Sequence, residues 1–293
     1  MFCAPRGTVK QAMSIQNKNV FITGPTEGIG KATALSLAKQ GANLHLLCRN
    51  PSKAQALREE LRSLYGDVQV ELYIADLGDF QQVRDAAEAF VRRNEPLHVL
   101  INNAGLINTR RILLDNGQEQ MFAVNHLGHF LLTQLLLTRL QEAERGRIIA
   151  VSSDAYKFCR GIRFDDLQWS SGFRTFRTYG HSKLANILFV RELSKRLQGT
   201  QVTANALHPG AVRSRLGAQN NWYAGHVMIL VTPFLRSAER GAATSLYLAT
   251  SEEVRNISGE YFVDCRVKRT KSWGQDASQA QRLWEVSEQL VSL

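Results

Sequence analysis

No stretch of this chain approaches the roughly 20 consecutive apolar residues that a membrane-spanning helix needs. The nearest, Trp222 to Leu235, is too short and is interrupted by Pro233. Met1 to Gln16 has a few basic residues but no continuous apolar core, so it does not read as a secretory signal; a flexible arm over residues 1–16 is expected, with an organelle-targeting leader as the alternative. Cysteine is scarce: Cys3, Cys48, Cys159 and Cys265 are scattered, without metal-ligand spacing. They read as reduced thiols in a cytosol-like compartment, with no metal site implied. Internal repeats and low-complexity linkers are lacking too, so one domain is expected over residues 17–293. Acidic residues are outnumbered, 26 to 36 Lys and Arg, for a net charge of +10. No nucleic-acid motif accompanies that surplus, which leaves an anionic membrane surface or a polyanionic cofactor as the partners it suits.

What the chain does have is alternation. At 293 residues, 44% hydrophobic and 21% charged, it is long enough for one large α/β domain with a full core. Asn19 to Thr23 is a short apolar run that reads as a buried first strand. Gly24, Gly28 and Gly30 follow, then a helical pattern from Ala32 to Gln40. Glycines between a strand and a helix let backbone approach a ligand and present helix N-terminal amides, which suits a pyrophosphate; the bland reading is an ordinary glycine-rich turn. Asn43 to Cys48 reads as the second strand. In a dinucleotide fold its end faces the adenosine ribose, where an acidic residue selects NAD. Here Arg49 follows Cys48, and a guanidinium matches a phosphate, which favours NADP over the alternative of a solvated loop arginine.

The pattern continues with a helix from Ser52, a possible cap, to Tyr65 and a strand over Val68 to Ala75 that runs into Asp76 and Leu77. Asp76 suits an adenine amino group or the cap of the helix near Phe80. Leu97 to Ile101 is an apolar strand leading to Asn102, Asn103, Ala104 and Gly105. Asn125 is a polar residue in an apolar helix beside Gly128, either a core amide satisfied by backbone or a positioner of water or lysine. His126 and His129, lacking a third ligand at useful spacing, read as packing or surface histidines. The strand from Arg147 to Val151 ends in Ser152 and Ser153, at the carboxyl edge where open α/β sheets bind ligands. The connection Asp154 to Arg177 carries Phe158, Ile162, Phe164, Trp169, Phe173 and Phe176, candidates for an apolar pocket wall. Further strands over Gln201–Leu207 and Glu260–Val263, and helices over Ala238–Leu248 and Ala280–Leu290, complete a doubly wound parallel sheet. Arg215 to Arg236, with Trp222 and Tyr223, reads as a substrate flap, and Arg266, Lys268, Arg269 and Lys271 form a basic run.

Tyr179 and Lys183 stand four residues apart in a segment that reads as helix, on one face and one turn apart. A phenol has an ordinary pKa of about 10, and a neighbouring ammonium pulls it down, which makes the pair a candidate general acid/base. A surface Tyr and Lys on an amphipathic helix is the bland alternative.

On these residues the chain resembles the short-chain dehydrogenase/reductase family from about Asn19 to its C-terminus. Thr23 to Gly30 is similar to the family's TGxxxGxG turn, Asp76–Leu77 to its adenine contact and Asn102–Asn103–Ala104–Gly105 to its NNAG segment. Asn125, the serine pair, Tyr179 and Lys183 resemble its Asn–Ser–Tyr–Lys tetrad, and Pro209–Gly210 its nicotinamide-side loop. Leu47–Cys48–Arg49, His181 to Asn186, Tyr261 to Cys265 and Leu283 to Ser287 resemble the retinol dehydrogenase branch. The resemblance implies a Rossmann fold with a C-terminal substrate flap. It also implies NADP(H) held by Gly24, Glu27, Gly28, Ile29 and Gly30, by Arg49, Asp76 and Leu77, by Asn103, Ala104 and Gly105, and by Tyr179, Lys183, Pro209, Gly210, Val212 and Ser214. Asn125, Ser153, Tyr179 and Lys183 are the implied catalytic residues, with Ser153 on the carbonyl oxygen. The implied substrate is a small hydrophobic carbonyl or its alcohol, retinoid or lipid-like. The implied setting is cytoplasmic, with a peripheral membrane contact through the flap and basic run and with a homodimer left open. A catalytically silent NADP(H)-binding regulatory protein and a nucleotide-sugar epimerase are the competing readings. The chain departs from the branch at Pro25 and Glu27, where it usually has Ala and Thr, and at Asp154, where a small apolar residue is usual.

Overall fold

Val20, Phe21 and Ile22 are completely buried, as an apolar strand with helices on both faces requires. The computed structural model describes residues 14–212 and 236–292. Ser214, Trp222, Tyr223, Cys3 and most of the expected flap and arm therefore lie outside the described residues. Ile15, near the end of the expected arm, is buried, so the packed chain starts before residue 17.

The described elements alternate through β1 (Asn19–Thr23), α1 (Gly28–Lys39), β2 (Asn43–Cys48), α2 (Pro51–Tyr65), β3 (Val70–Ile74), α3 (Phe80–Val91) and β4 (Val99–Asn102). After α4 (Gln120–Phe122), a π-helical turn over Ala123–Leu127 and α5 (Gly128–Gln141) come β5 (Arg147–Val151), α6 (Thr175–Arg196) and β6 (Thr203–His208). The chain closes with α7 (Ala238–Thr250), β7 (Tyr261–Val263), β8 (Arg266–Val267) and α8 (Ala277–Leu290). The strands lie in the order β3-β2-β1-β4-β5-β6-β7-β8. All pairings are parallel except that of β7 with β8, and the order reverses between β1 and β4, where such sheets bind ligands.

Alternation along β1 divides the core. Phe21 faces Phe90, Phe130, Phe189 and Trp284 on one side of the sheet. Val20 and Ile22 face Leu37, Leu57 and Leu246 on the other. Two caps differ from expectation. Asn50, not Ser52, caps α2, accepting the Lys53 amide at 2.9 Å, and Pro51 at the first helical position fits that start. Asp79, not Asp76, caps α3, taking the Gln81 and Gln82 amides. The basic run stands in solvent, with Arg266 on the edge strand β8, a charged edge that discourages further pairing.

Candidate functional site

The carboxyl ends of β1, β2, β3 and β4 open onto a cleft of about 740 Å³ lined by Gly24, Glu27, Gly28, Ile29, Gly30, Arg49, Asp76, Leu77, Asn103, Ala104 and Gly105, among others. Its size is that of a small-molecule or cofactor site. The glycine turn has two physical reasons to be glycine. Gly28 opens α1 at φ +55° and Gly24 sits at φ +62°, a region that L side chains rarely adopt. A Cβ on Gly30 would lie 2.2 Å from the Gly24 carbonyl oxygen and 2.5 Å from Asn103 Nδ2, and one on Gly24 would lie 2.9 Å from Ala104 Cα. Gly24 and Gly30 thus serve the packing of the turn on Asn103–Ala104 and also line the cleft.

Thr23 fastens these two segments. Its Oγ1 accepts the amides of Asn103 at 2.9 Å and Ala104 at 3.0 Å and lies 2.8 Å from His129 Nε2. His129 Nδ1 is 3.1 Å from the Asn125 carbonyl oxygen. A carbonyl only accepts, so Nδ1 carries the hydrogen and Nε2 accepts from the Thr23 hydroxyl. His129 is buried, as the packing reading expects, and it also bridges the glycine turn to the π-helical turn that holds Asn125. Its position four residues after Asn125, on the same helical face, is the signal that would have found it.

Asn125 is fully buried. Its Oδ1 accepts the Leu106 amide at 2.8 Å, and its Nδ2 donates to the Leu106 carbonyl and to Ser182 Oγ, both at 3.0 Å. Ser182 Oγ donates in turn to the Tyr179 carbonyl at 2.8 Å. These bonds make Asn125 a core amide satisfied largely by backbone, the first of its two expected readings. A Cβ on Gly105 would lie 3.3 Å from Lys183 Nζ and 3.4 Å from Asn125 Oδ1. The absence of that Cβ brings the cleft wall at Gly105 close to Lys183 and Asn125, while Tyr179, Lys183 and Ser153 are not themselves among the lining residues.

Lys183 is buried, and its Nζ donates to the Val151 carbonyl at 3.0 Å and lies 5.6 Å from the centre of the Tyr179 ring. Burial lowers its pKa to about 8. Tyr179 differs from expectation: burial pushes its pKa up, opposed by a hydrogen bond with Ser153, rather than the ammonium pulling it down. Desolvation of a phenol in this interior outweighs what its neighbours return. Ser153 Oγ also accepts the Ala155 amide at 3.1 Å, so it caps the 3-10 turn Asp154–Phe158 as well. Ser152 faces elsewhere, donating to the Lys183 carbonyl at 2.7 Å. Gly180 lets that turn approach α6, since a Cβ there would lie 2.2 Å from the Ala155 carbonyl oxygen.

Asp154, the unusual residue after the serine pair, has a local role. It receives Lys157 Nζ at 2.6 Å and the Tyr261 hydroxyl at 3.0 Å, while its amide donates to His208 Nδ1 at 3.3 Å. Although burial opposes it, these partners hold the Asp154 carboxyl below the usual carboxylate range. After His208, Gly210 turns at φ +86°. Val212 pairs with Arg236 and approaches Ile29 across Gly241, which brings the Pro209–Val212 loop alongside the start of α1. The expected aromatic wall is only partly one. Trp169 and Ile162 are core residues, whereas Phe158 and Phe176 stand in solvent against each other, ring centres 6.0 Å apart.

At the adenosine end, Arg49 Nη1 lies 3.8 Å from Asp76 Oδ2, and Lys53 Nζ lies 2.5 Å from Glu27 Oε1. Lys53, not singled out in the sequence, lines the cleft with Arg49 and Asn50. Among the described residues, two cations and two carboxylates thus share the end of the cleft beyond β2.

A doubly wound sheet with a glycine turn at its switch point defines an α/β protein built to hold a dinucleotide at its carboxyl edge. The family model for short chain dehydrogenase matches residues 18–223. Retinol dehydrogenase 12 of Mus musculus is 42% identical over 98% of this chain and 90% of its own length. Retinol dehydrogenase 14 of Homo sapiens is 40% identical over 95% of this chain and 88% of its own. A crystal structure of an uncharacterized protein from Mycobacterium paratuberculosis, 32% identical, superposes with a TM-score of 0.76 over 96% of each chain. The chain belongs to the short-chain dehydrogenase/reductase family, in its retinol dehydrogenase-like branch, and is an oxidoreductase acting on CH–OH and C=O groups.

Proposed function

We propose that this protein is an NADP(H)-dependent oxidoreductase that interconverts a hydrophobic carbonyl, retinal-like or a lipid aldehyde or ketone, and its alcohol. The observation that carries the reading is the seating of Lys183 and Asn125 against Gly105 in the cleft wall, with the Tyr179 ring 5.6 Å from the Lys183 ammonium and its phenol bonded to Ser153. The cleft residues fit the cofactor: the amides at the start of α1 suit a pyrophosphate, and Arg49 suits the phosphate that distinguishes NADP. When bound, the cofactor supplies the hydride.

The chain's own residues supply the proton and the alignment. The Tyr179 phenol, protonated at neutral pH as an ordinary phenol is and held so more firmly by burial, donates to the carbonyl oxygen in reduction and receives the hydroxyl proton in oxidation. Ser153, already bonded to that phenol, orients the same oxygen. Lys183, an ammonium whose pKa burial has lowered to about 8, stabilises the phenolate side of the transfer, and Asn125 positions the lysine and its proton route. Names of the relatives, the retinol dehydrogenases, support the choice of substrate class.

Oxidation of NADPH and of NADH, measured side by side with all-trans-retinal, a medium-chain aldehyde and a steroid ketone, tests the reading. Tyr179→Phe is expected to remove at least about 99% of turnover, the scale of a lost acid/base group, with NADPH affinity retained. Full turnover by that variant would sink the assignment.

A further inference from the structure

We infer that Glu27 is a specificity-determining residue: its carboxylate occupies Lys53 at the adenosine end of the cleft and thereby limits the preference for NADP(H) over NAD(H). The inference rests on the proposal that a nicotinamide dinucleotide lies in this cleft.

Glu27 immediately precedes α1, yet its side chain makes no cap bond to the helix. It reaches across the cleft to Lys53 Nζ, at 2.5 Å. Lys53 is in turn fixed at the start of α2, because its amide is taken by the Asn50 cap. Both side chains are partly exposed, 35% for Glu27 and 52% for Lys53, and such a pair adds little to folding. What it changes is the charge of the seat. Arg49 lies 3.8 Å from Asp76, so among the described residues each of the two cations at this end stands beside a carboxylate. A phosphate dianion on the adenosine ribose must take Lys53 from Glu27 and sit beside the displaced carboxylate. A ribose with a free hydroxyl makes neither demand. The amide of glutamine is uncharged and similar in shape to glutamate, so Glu27→Gln frees Lys53 and removes the repulsion together.

The test measures dissociation constants of the full chain and of Glu27→Gln by fluorescence for NADPH and NADH, and by calorimetry for 2′,5′-ADP and 5′-AMP. Glu27→Gln is expected to tighten NADPH and 2′,5′-ADP about tenfold at low salt, the scale of one released charge pair near a surface. NADH and 5′-AMP should stay within about twofold on the same reasoning. The gain should shrink as salt approaches a Debye length of about 10 Å, near 0.1 M. It should vanish in Glu27→Gln combined with Lys53→Met. Equal tightening of both dinucleotides would overturn the inference, since the carboxylate would then act on the pyrophosphate they share. No change in either would overturn it as well, leaving the pair a solvent ion pair. Wild-type chain that binds neither dinucleotide overturns the cofactor reading itself, and the inference with it; that result is distinct from binding both and responding equally.

Discussion

Lys183 is the residue at which folding and chemistry pull hardest against each other. Its ammonium is buried, bonded to the Val151 carbonyl, and its pKa falls from 10.5 to about 8. At about 1.4 kcal/mol per unit, that shift corresponds to roughly 3 kcal/mol by which the interior disfavours the charged form. A depressed lysine pKa also gives a sign: the unfolded chain holds more protons between pH 8 and 10.5, so this residue's penalty is relieved as pH rises through that window. Lys183→Met, of similar length and uncharged, is therefore expected to raise the thermal midpoint at pH 7 by a few degrees while abolishing turnover. Asn186 Nδ2, 3.4 Å from the Val151 carbonyl, remains as a donor to it. A midpoint that falls would show that the ammonium is a net stabiliser. The spacing of Tyr179 and Lys183 was legible from residue order alone, because four residues make one helical turn. The direction of the phenol's shift was not, because it depends on how deeply α6 is buried, which no local pattern records.

At the level of elements, α6 is the centre: it meets β5 and β6 on the sheet and the turn after Ser153, and α8 lies on its outer side. Trp284 of α8 stacks on Phe189, ring centres 5.9 Å apart and planes within 19°, and meets Phe130 edge-on at 5.0 Å. Arg196 covers its other side, 4.3 Å from the ring centre, and Ser287 bonds His126 at 3.0 Å. Trp284→Ala is expected to cost about 3–5 kcal/mol, the usual range for deleting a buried tryptophan, and Trp284→Phe clearly less. Thermal unfolding of the two variants checks this, and equal midpoints for both and for wild type would contradict it. The first, second and fifth strands were legible to the residue, because buried strands of a parallel sheet read as apolar runs bounded by turn residues. The π-helical turn was not. Ala123–Leu127 is buried on all sides, so its sequence carries no period from which a shift in hydrogen bonding is visible. The two-residue β8 was also missed: Arg266 and Val267 are both exposed, and an edge strand that short has no alternation to read.

For the molecule as a whole, the unusual quantity is the number of neutral imidazoles sealed inside it. His45, His126, His129 and His181 are all buried. Burial lowers their pKa values from 6.5 to about 3, about 3, about 4 and about 4 respectively. His129 could not accept a second proton without losing the Thr23 hydroxyl as a donor, and His181 Nε2 is committed to the Arg163 amide at 3.0 Å. In the unfolded chain each titrates near 6.5, so between pH 6.5 and about 4 the unfolded state binds more protons than the native state. Stability then rises with pH: the histidine contribution is complete above 6.5 and is lost as pH falls below it. Four such groups give a slope of up to about 5 kcal/mol per pH unit once all are charged in the unfolded chain. Against a typical total of about 5–15 kcal/mol, that slope unfolds the protein before the carboxylates begin to titrate. The thermal midpoint is expected to fall steeply from pH 6.5 and the native near-ultraviolet circular dichroism to be lost above pH 4. A midpoint constant down to pH 4.5, with loss only below it, would assign acid unfolding to Asp154 and the other paired carboxylates instead. Neither composition nor motif discloses this behaviour. Seven histidines in 293 residues is an ordinary number, and only the packing of β2, the π-helical turn, α5 and α6 shows that four of them are hidden from water.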